Sequence, residues 1–179
     1  MNSDEAWAQL HELIPLFYND WSRLGAFALA RRPLPAGFAE LLDHHHHMTV
    51  TVESYFDQRV SVEVLETQRQ LDHYSRKIVL RGDRDRRILM FGLVRLDLSV
   101  LSAEVRAEIE SQAKPLGRVL IEHDVMRQVE LLDLWRIDMG DDLQHALESP
   151  STVTYGRTAL IHCNGQPAVE LLEIVTPDL

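Results

Sequence analysis

The chain has 179 residues, 45% apolar and 26% charged, enough for one globular domain with its own core, and its composition excludes the fibrous, collagen-like and disordered classes. Its 28 acidic and 18 basic residues give a formal net charge of −10 with the basic residues scattered, which makes nucleic acid a poor partner. No apolar run approaches the about 18 residues that cross a bilayer, Met1–Glu5 has neither a basic nor an apolar leader pattern, and the lone Cys163 allows no internal disulfide, so a cytoplasmic chain is expected.

From Asp4 to Tyr18 the apolar residues Trp7, Leu10, Leu13, Ile14 and Phe17 recur at helical spacing. The segment Arg31–Gly37, with two prolines, breaks regular structure, and Phe38, Leu41 and Leu42 predict a short second helix ending near the run His44–His47. The period then changes to two. Met48, Val50 and Val52 alternate with Thr49, Thr51 and Glu53, and Val60, Val62 and Val64 alternate with Ser61 and Glu63, which predicts two strands joined at Asp57-Gln58. Tyr74–Leu80 and Ile88–Leu96 read as two more, completing a four-stranded antiparallel meander.

Residues Ser102 to Gln112 return to helical composition, Pro115–Arg118 interrupts it, and Val129 to Ile137 is ambiguous between strand and helix. An acidic loop at Met139–Asp142 precedes a short helical stretch, Leu143–Leu147. The last two strands, Arg157–Cys163 and Ala168–Thr176, flank Asn164-Gly165, the strongest short hairpin signal. The expected architecture is one α+β domain over residues 1–179, an antiparallel sheet with helices packed on one face.

Two charges sit in apolar strand rows. Glu173 shares a face with Val169, Leu171 and Val175, and Arg76 shares one with Tyr74, Ile78 and Leu80. A charge facing a core must be paired, hydrogen-bonded or shifted in pKa. Two readings follow. The pair forms a core ion pair, or it lines a closed pocket in which Arg76 grips a ligand carboxylate and Glu173 serves as acid, base or hydroxyl acceptor. Arg157, in a row with Ala159 and Ile161, is either a pocket cation or a strand-edge charge.

Four segments in order, His47–Glu53, Ser75–Leu80, Pro115–Arg118 and Tyr155–Thr158 continuing through Gly165–Pro167 to Leu172–Pro177, resemble those of chorismate lyase and its chorismate-lyase-like relatives. The resemblance implies a cofactor-independent lyase converting chorismate to 4-hydroxybenzoate and pyruvate. It places Arg76 at the ring carboxylate, Glu173 at the ring hydroxyl, Met48 and Leu116 in the pocket wall, and a backbone N–H of Leu116 on the carboxylate. A second family arginine falls at Leu93, with Arg95 two residues on as its replacement, unless the alignment shifts. No metal or organic cofactor is implied; the partner is the small-molecule substrate, with no nucleic acid or membrane, acting on a monomer or weak homo-oligomer. Two alternatives stand beside this reading: a non-catalytic module binding an aromatic carboxylate, since the fold also resembles effector domains of transcription regulators, and a lyase for a related cyclohexadiene carboxylate.

Other features read as structural. Consecutive histidines seldom converge on one ion, although His47 adjoins the pocket segment. The mixed-sign Arg81–Arg87 cluster reads as a solvated hairpin tip, Cys163 lacks a base on its own strand face, and Trp7, Trp21 and Trp135 read as core or helix-face residues.

Overall fold

The structure, a computed structural model, describes residues 3–179; Met1 and Asn2, at the head of the segment read for a leader, lie outside the described residues. The periods of two build one sheet. Its strands are β1 (Gly25–Leu29), β2 (Val60–Gln70), β3 (His73–Gly82), β4 (Ile88–Asp97), β5 (Arg127–Met139), β6 (Val153–Cys163) and β7 (Gln166–Val175), all antiparallel, in the order β1-β5-β6-β7-β4-β3-β2. The β6–β7 hairpin turns at Asn164 and Gly165 with φ of 53° and 80°, the left-handed conformations this two-residue turn requires. Insertion of β7 beside β4 brings the last strand into the middle of the sheet, next to the strand that pairs with Arg76.

Four helices, α2 (Ala36–Leu42), α3 (Met48–Phe56), α4 (Ala103–Glu110) and α5 (Leu116–Glu122), cover one face, burying Leu41, Met48, Val52, Val105, Leu116 and Val119. The other face carries α1 (Ser3–Leu13) and α6 (Asp141–Ala146), whose Leu10, Leu13 and Leu143 pack with Phe91, Leu93, Trp135 and Ile174. The sheet is thus covered on both sides, more fully than a one-face packing, and the α+β class with an antiparallel sheet stands as expected. The first helix stops at Leu13 and tightens into a 3₁₀ turn over Ile14–Leu16, because Pro15 cannot supply the amide that a continuing α-helix needs.

One expected strand is a helix. Residues Met48 to Phe56 form α3, so the meander has three strands, β2, β3 and β4. Its buried residues, Met48, Thr49 and Val52, follow the i, i+1, i+4 pattern of a helical face, while Val50 is 49% exposed. The alternation of Met48, Val50 and Val52 was therefore a coincidence of β-branched residues. Asp57 ends α3 with a φ of 49°, and its position is a C-cap rather than a hairpin turn. The ambiguous segment from Val129 to Ile137 is strand β5, with a bulge between Leu131 and Asp133. That bulge moves Leu131 and Leu134 onto one face and sends Trp135 and Ile137 to the other, which hides the period of two. Edge strand β1 had no clear signal, being five residues of Gly, Ala, Phe and Leu held by pairing with Trp135–Met139.

Candidate functional site

The face beneath α3 and α5 holds the two charges predicted from strand alternation. Arg76 on β3 stands opposite Val94 on β4, which faces Leu171 on β7. In the next row Ile78, Gly92, Glu173 and Arg157 follow one another across β3, β4, β7 and β6. Arg76 and Glu173 therefore lie two strands apart, about 10 Å at the usual strand spacing, with the small residue Gly92 between them. A methyl added at Gly92 would approach Ile78 Cγ1 to 3.2 Å.

Arg76 is completely buried, and among the described residues its Nε, Nη1 and Nη2 have no hydrogen-bond partner. Burial lowers its pKa, yet a guanidinium stays protonated in proteins. Such a group costs several kcal/mol to bury. It is a forked, unmatched cation at the wall of a cavity, the arrangement that a ligand carboxylate completes.

Glu173 does not pair with Arg76. Arg157, its direct cross-strand neighbour on β6, donates from Nε to Glu173 Oε2 at 2.7 Å, with both side chains buried. The same guanidinium donates from Nη1 to the carbonyl of His44 at 3.0 Å and from Nη2 to that of His46 at 3.1 Å. Arg157 is thus an internal pocket-wall residue, holding the catalytic candidate Glu173 with one side of its fork and the histidine loop with the other. His44 Nε2–H donates to Leu41 O at 2.8 Å, leaving Nδ1 to accept from the His46 amide and from Arg157. Burial, with Arg157 nearby, pushes the His44 pKa down to about 4.

The cavity as it stands holds about 40 Å³ and is lined mostly by apolar side chains, so a ring-sized ligand enters only as those side chains move apart. Met48 and Leu116, the two expected wall residues, both line it, and Leu116 and Gly117 open α5, where first-turn amides lack partners within the helix. Arg118 and Glu53 form an ion pair tying α5 to α3, and Glu53 also accepts from the amide of Val60 at 2.9 Å. His47 completes the rim: Arg127 on β5 donates from Nε to His47 Nε2 at 2.9 Å. Nothing in the sequence pattern singled out Arg127, since its role arises only where β5 passes the histidine loop.

Arg95, expected as a substrate-binding cation, is not in the cavity. It shares strand parity with Phe91 and Leu93, which face α1 and α6, and it pairs with Glu170 across the β4–β7 ladder and with Glu12 of α1 at 2.9 Å. A change of face reverses with every residue along a strand, so neither Leu93 nor Arg95 reaches the pocket while Met90, Gly92 and Val94 do. Cys163 is buried in the core and burial pushes its thiol pKa up to about 11, which favours the protonated thiol over the nucleophilic thiolate. Arg81 pairs with Glu63 and Glu148, and Arg84 bonds to main-chain carbonyls at Phe56 and Asp57, a solvated turn as expected. His44 and His46 stack with ring centroids 5.6 Å apart, and among the described residues no cluster of three or more His, Cys, Asp or Glu is set to hold a metal.

A cavity on an antiparallel α+β sheet, with a buried cation unmatched among the described residues at its wall, is a candidate small-molecule site whose charge suits an anion. No protein-family profile and no curated protein matches the chain. Among solved structures, the ligand-binding domain of a regulator assigned to the GntR family from Bordetella bronchiseptica has the same fold, with a TM-score of 0.52 at 12% identity over 66% of this chain and 86% of that domain. The protein YydK of Bacillus subtilis (TM-score 0.47, 14% identity) and the PhnF C-terminal domain (0.46, 12%) are more distant. These matches cover 66% and 68% of this chain; this chain spans 59% of YydK and 86% of the PhnF domain. Identities this low make the likeness one of fold. Among the described residues no helix is long and apolar enough to cross a membrane.

Proposed function

We propose that the chain binds a small cyclic carboxylate in this cavity and, with chorismate, acts as a pyruvate-lyase yielding 4-hydroxybenzoate. The observation that carries the reading is Arg76, fully buried at the cavity wall with all three guanidinium nitrogens unmatched among the described residues. Its fork takes the ring carboxylate in two parallel hydrogen bonds. Met48 and Leu116 enclose the ring, and Glu173, oriented by Arg157, lies across Gly92 from Arg76. The ordered resemblance of four segments to chorismate lyase supports the choice of substrate.

The chemistry asks little of the protein beyond orientation and one base. Glu173 removes the proton at C4. The electron pair of that C–H bond becomes the third ring double bond as the C3–O bond breaks, and the ether oxygen leaves with the bond's electrons as the enolate of pyruvate. The proton then returns from Glu173 to the enolate carbon. Aromatisation drives the step, and general acid–base help of this kind contributes about 10²- to 10⁴-fold in rate. Arg95 has no part in it; Arg157 holds the carboxylate that does.

A second reading is a non-catalytic binding domain, favoured by the fold shared with the ligand-binding domain from Bordetella bronchiseptica. Incubation with chorismate followed by chromatography separates the two. Equimolar 4-hydroxybenzoate and pyruvate are expected from the lyase. No turnover, with chorismate or 4-hydroxybenzoate still raising the melting temperature, would replace the lyase with the binding domain. Neither effect would assign the pocket to another ligand, such as a related cyclohexadiene carboxylate.

A further inference from the structure

A substrate with two carboxylates calls for two recognition points, and Arg76 supplies only one. The neighbouring arginines are engaged: Arg157 by Glu173 and two carbonyls, Arg118 by Glu53, and Arg95 on the far face by Glu12 and Glu170. Arg127 differs. It is half-buried and, among the described residues, has no carboxylate within ion-pair distance; it donates from Nη1 to Val125 O at 3.0 Å and from Nε to His47 Nε2 at 2.9 Å.

That second bond decides the histidine. A guanidinium only donates, so Nε2 of His47 accepts and the ring proton sits on Nδ1. The Nδ1 edge faces the first turn of α5: a methyl placed on Gly117 would lie 3.4 Å from it and 3.2 Å from Thr49 Oγ1, and all three residues line the cavity. His47 also borders an outer groove that it shares with His45, His46, Met126 and Arg127, so it stands where groove and cavity meet.

We infer that His47 is a second carboxylate-binding residue of the cavity, donating from Nδ1–H, and that Arg127 is the positioning residue that fixes this tautomer and places a positive charge behind it. The inference rests on the dicarboxylate reading of the substrate. It is consistent with the surroundings of the ring: burial, then the charges of Arg127 and Arg157, hold its pKa at about 4, so His47 remains a neutral donor near neutral pH.

The test compares a dicarboxylate with a monocarboxylate. Chorismate and 4-hydroxybenzoate are measured on the wild type and on His47→Leu, His47→Asn and Arg127→Met, with thermal melts verifying that each is folded. His47→Leu and Arg127→Met are expected to raise KM for chorismate at least tenfold while changing the Kd of 4-hydroxybenzoate less than twofold. His47→Asn, whose amide N–H falls near the Nδ1 position, recovers most of the loss. An equal loss for both ligands, or an unchanged KM in His47→Leu, overturns the inference. If the wild type does not turn chorismate over, the lyase reading fails, and the same comparison is made on the Kd of chorismate. A wild-type preference for chorismate over 4-hydroxybenzoate that His47→Leu abolishes still upholds the second recognition point. No preference in the wild type, or binding of neither compound, overturns it.

Discussion

Replacing Arg76 by methionine should stabilise the protein while destroying its binding site. Arg76 is completely inaccessible and, among the described residues, none of its three nitrogens has a partner, so the folded state carries an uncompensated cation. Exchanging buried ionic groups for apolar ones of similar size yields about 1–4 kcal/mol even when those groups are paired, and Arg76 is not paired. About 2 kcal/mol at this chain length corresponds to a rise in Tm of about 4–8 °C. The same variant should lose the stabilisation that 4-hydroxybenzoate gives the wild type, which at a hundredfold excess over Kd amounts to about 2.7 kcal/mol. Differential scanning calorimetry with and without ligand reads both effects in one experiment. A fall in Tm matching about 3–5 kcal/mol, the cost of breaking a buried pair, would show that Arg76 has a structural partner and would refute the reasoning.

Arg157→Met should behave in the opposite way, costing about 3–5 kcal/mol in urea unfolding because it leaves Glu173 buried without its cation; a neutral outcome would contradict a structural role for the Arg157–Glu173 pair. Arg95→Met should leave chorismate turnover within twofold and cost no more than about 1 kcal/mol, as expected for a partly exposed pair, whereas a tenfold loss of kcat/KM would return Arg95 to the site. Gly117→Ala should raise KM for chorismate by about tenfold or more in steady-state kinetics, since the new methyl lies against Thr49 Oγ1 and His47 Nδ1 inside the cavity; an unchanged KM would place the second carboxylate elsewhere. His44 and His47 have folded pKa values of about 4 against an ordinary 6.5, so the folded state binds fewer protons between those values, and stability should fall as pH drops from about 6.5 towards 4. Melts of the wild type against a His44→Gln, His47→Gln double variant check this, the variant losing part of the slope; identical slopes would contradict it.

Much of the site was legible because a strand exposes its faces by simple alternation. Arg76 and Glu173 stood out as charges in apolar rows, and both line the cavity. Alternation gives the face but not the neighbour. That Arg157 rather than Arg76 meets Glu173 depends on the order β6-β7-β4-β3, which is set by long-range pairing. The same parity argument places Arg95 with Leu93, away from the pocket, once Val94 is known to face Arg76. The misread helix α3 has a local cause. Three apolar residues at a spacing of two satisfy a strand pattern, and the contacts that select the helix, Met48 and Val52 against the sheet and Glu53 to Arg118, lie far away in sequence. His47 and Arg127 are 80 positions apart and meet only through the histidine loop.

The central claim, that Arg76 makes this cavity a carboxylate site, is tested most directly by titrating the wild type with 4-hydroxybenzoate and with 4-hydroxybenzamide, a neutral molecule of nearly the same shape. The account predicts that the acid binds at least a hundredfold more tightly than the amide and that Arg76→Met erases the difference. Equal affinity for acid and amide in the wild type would contradict it.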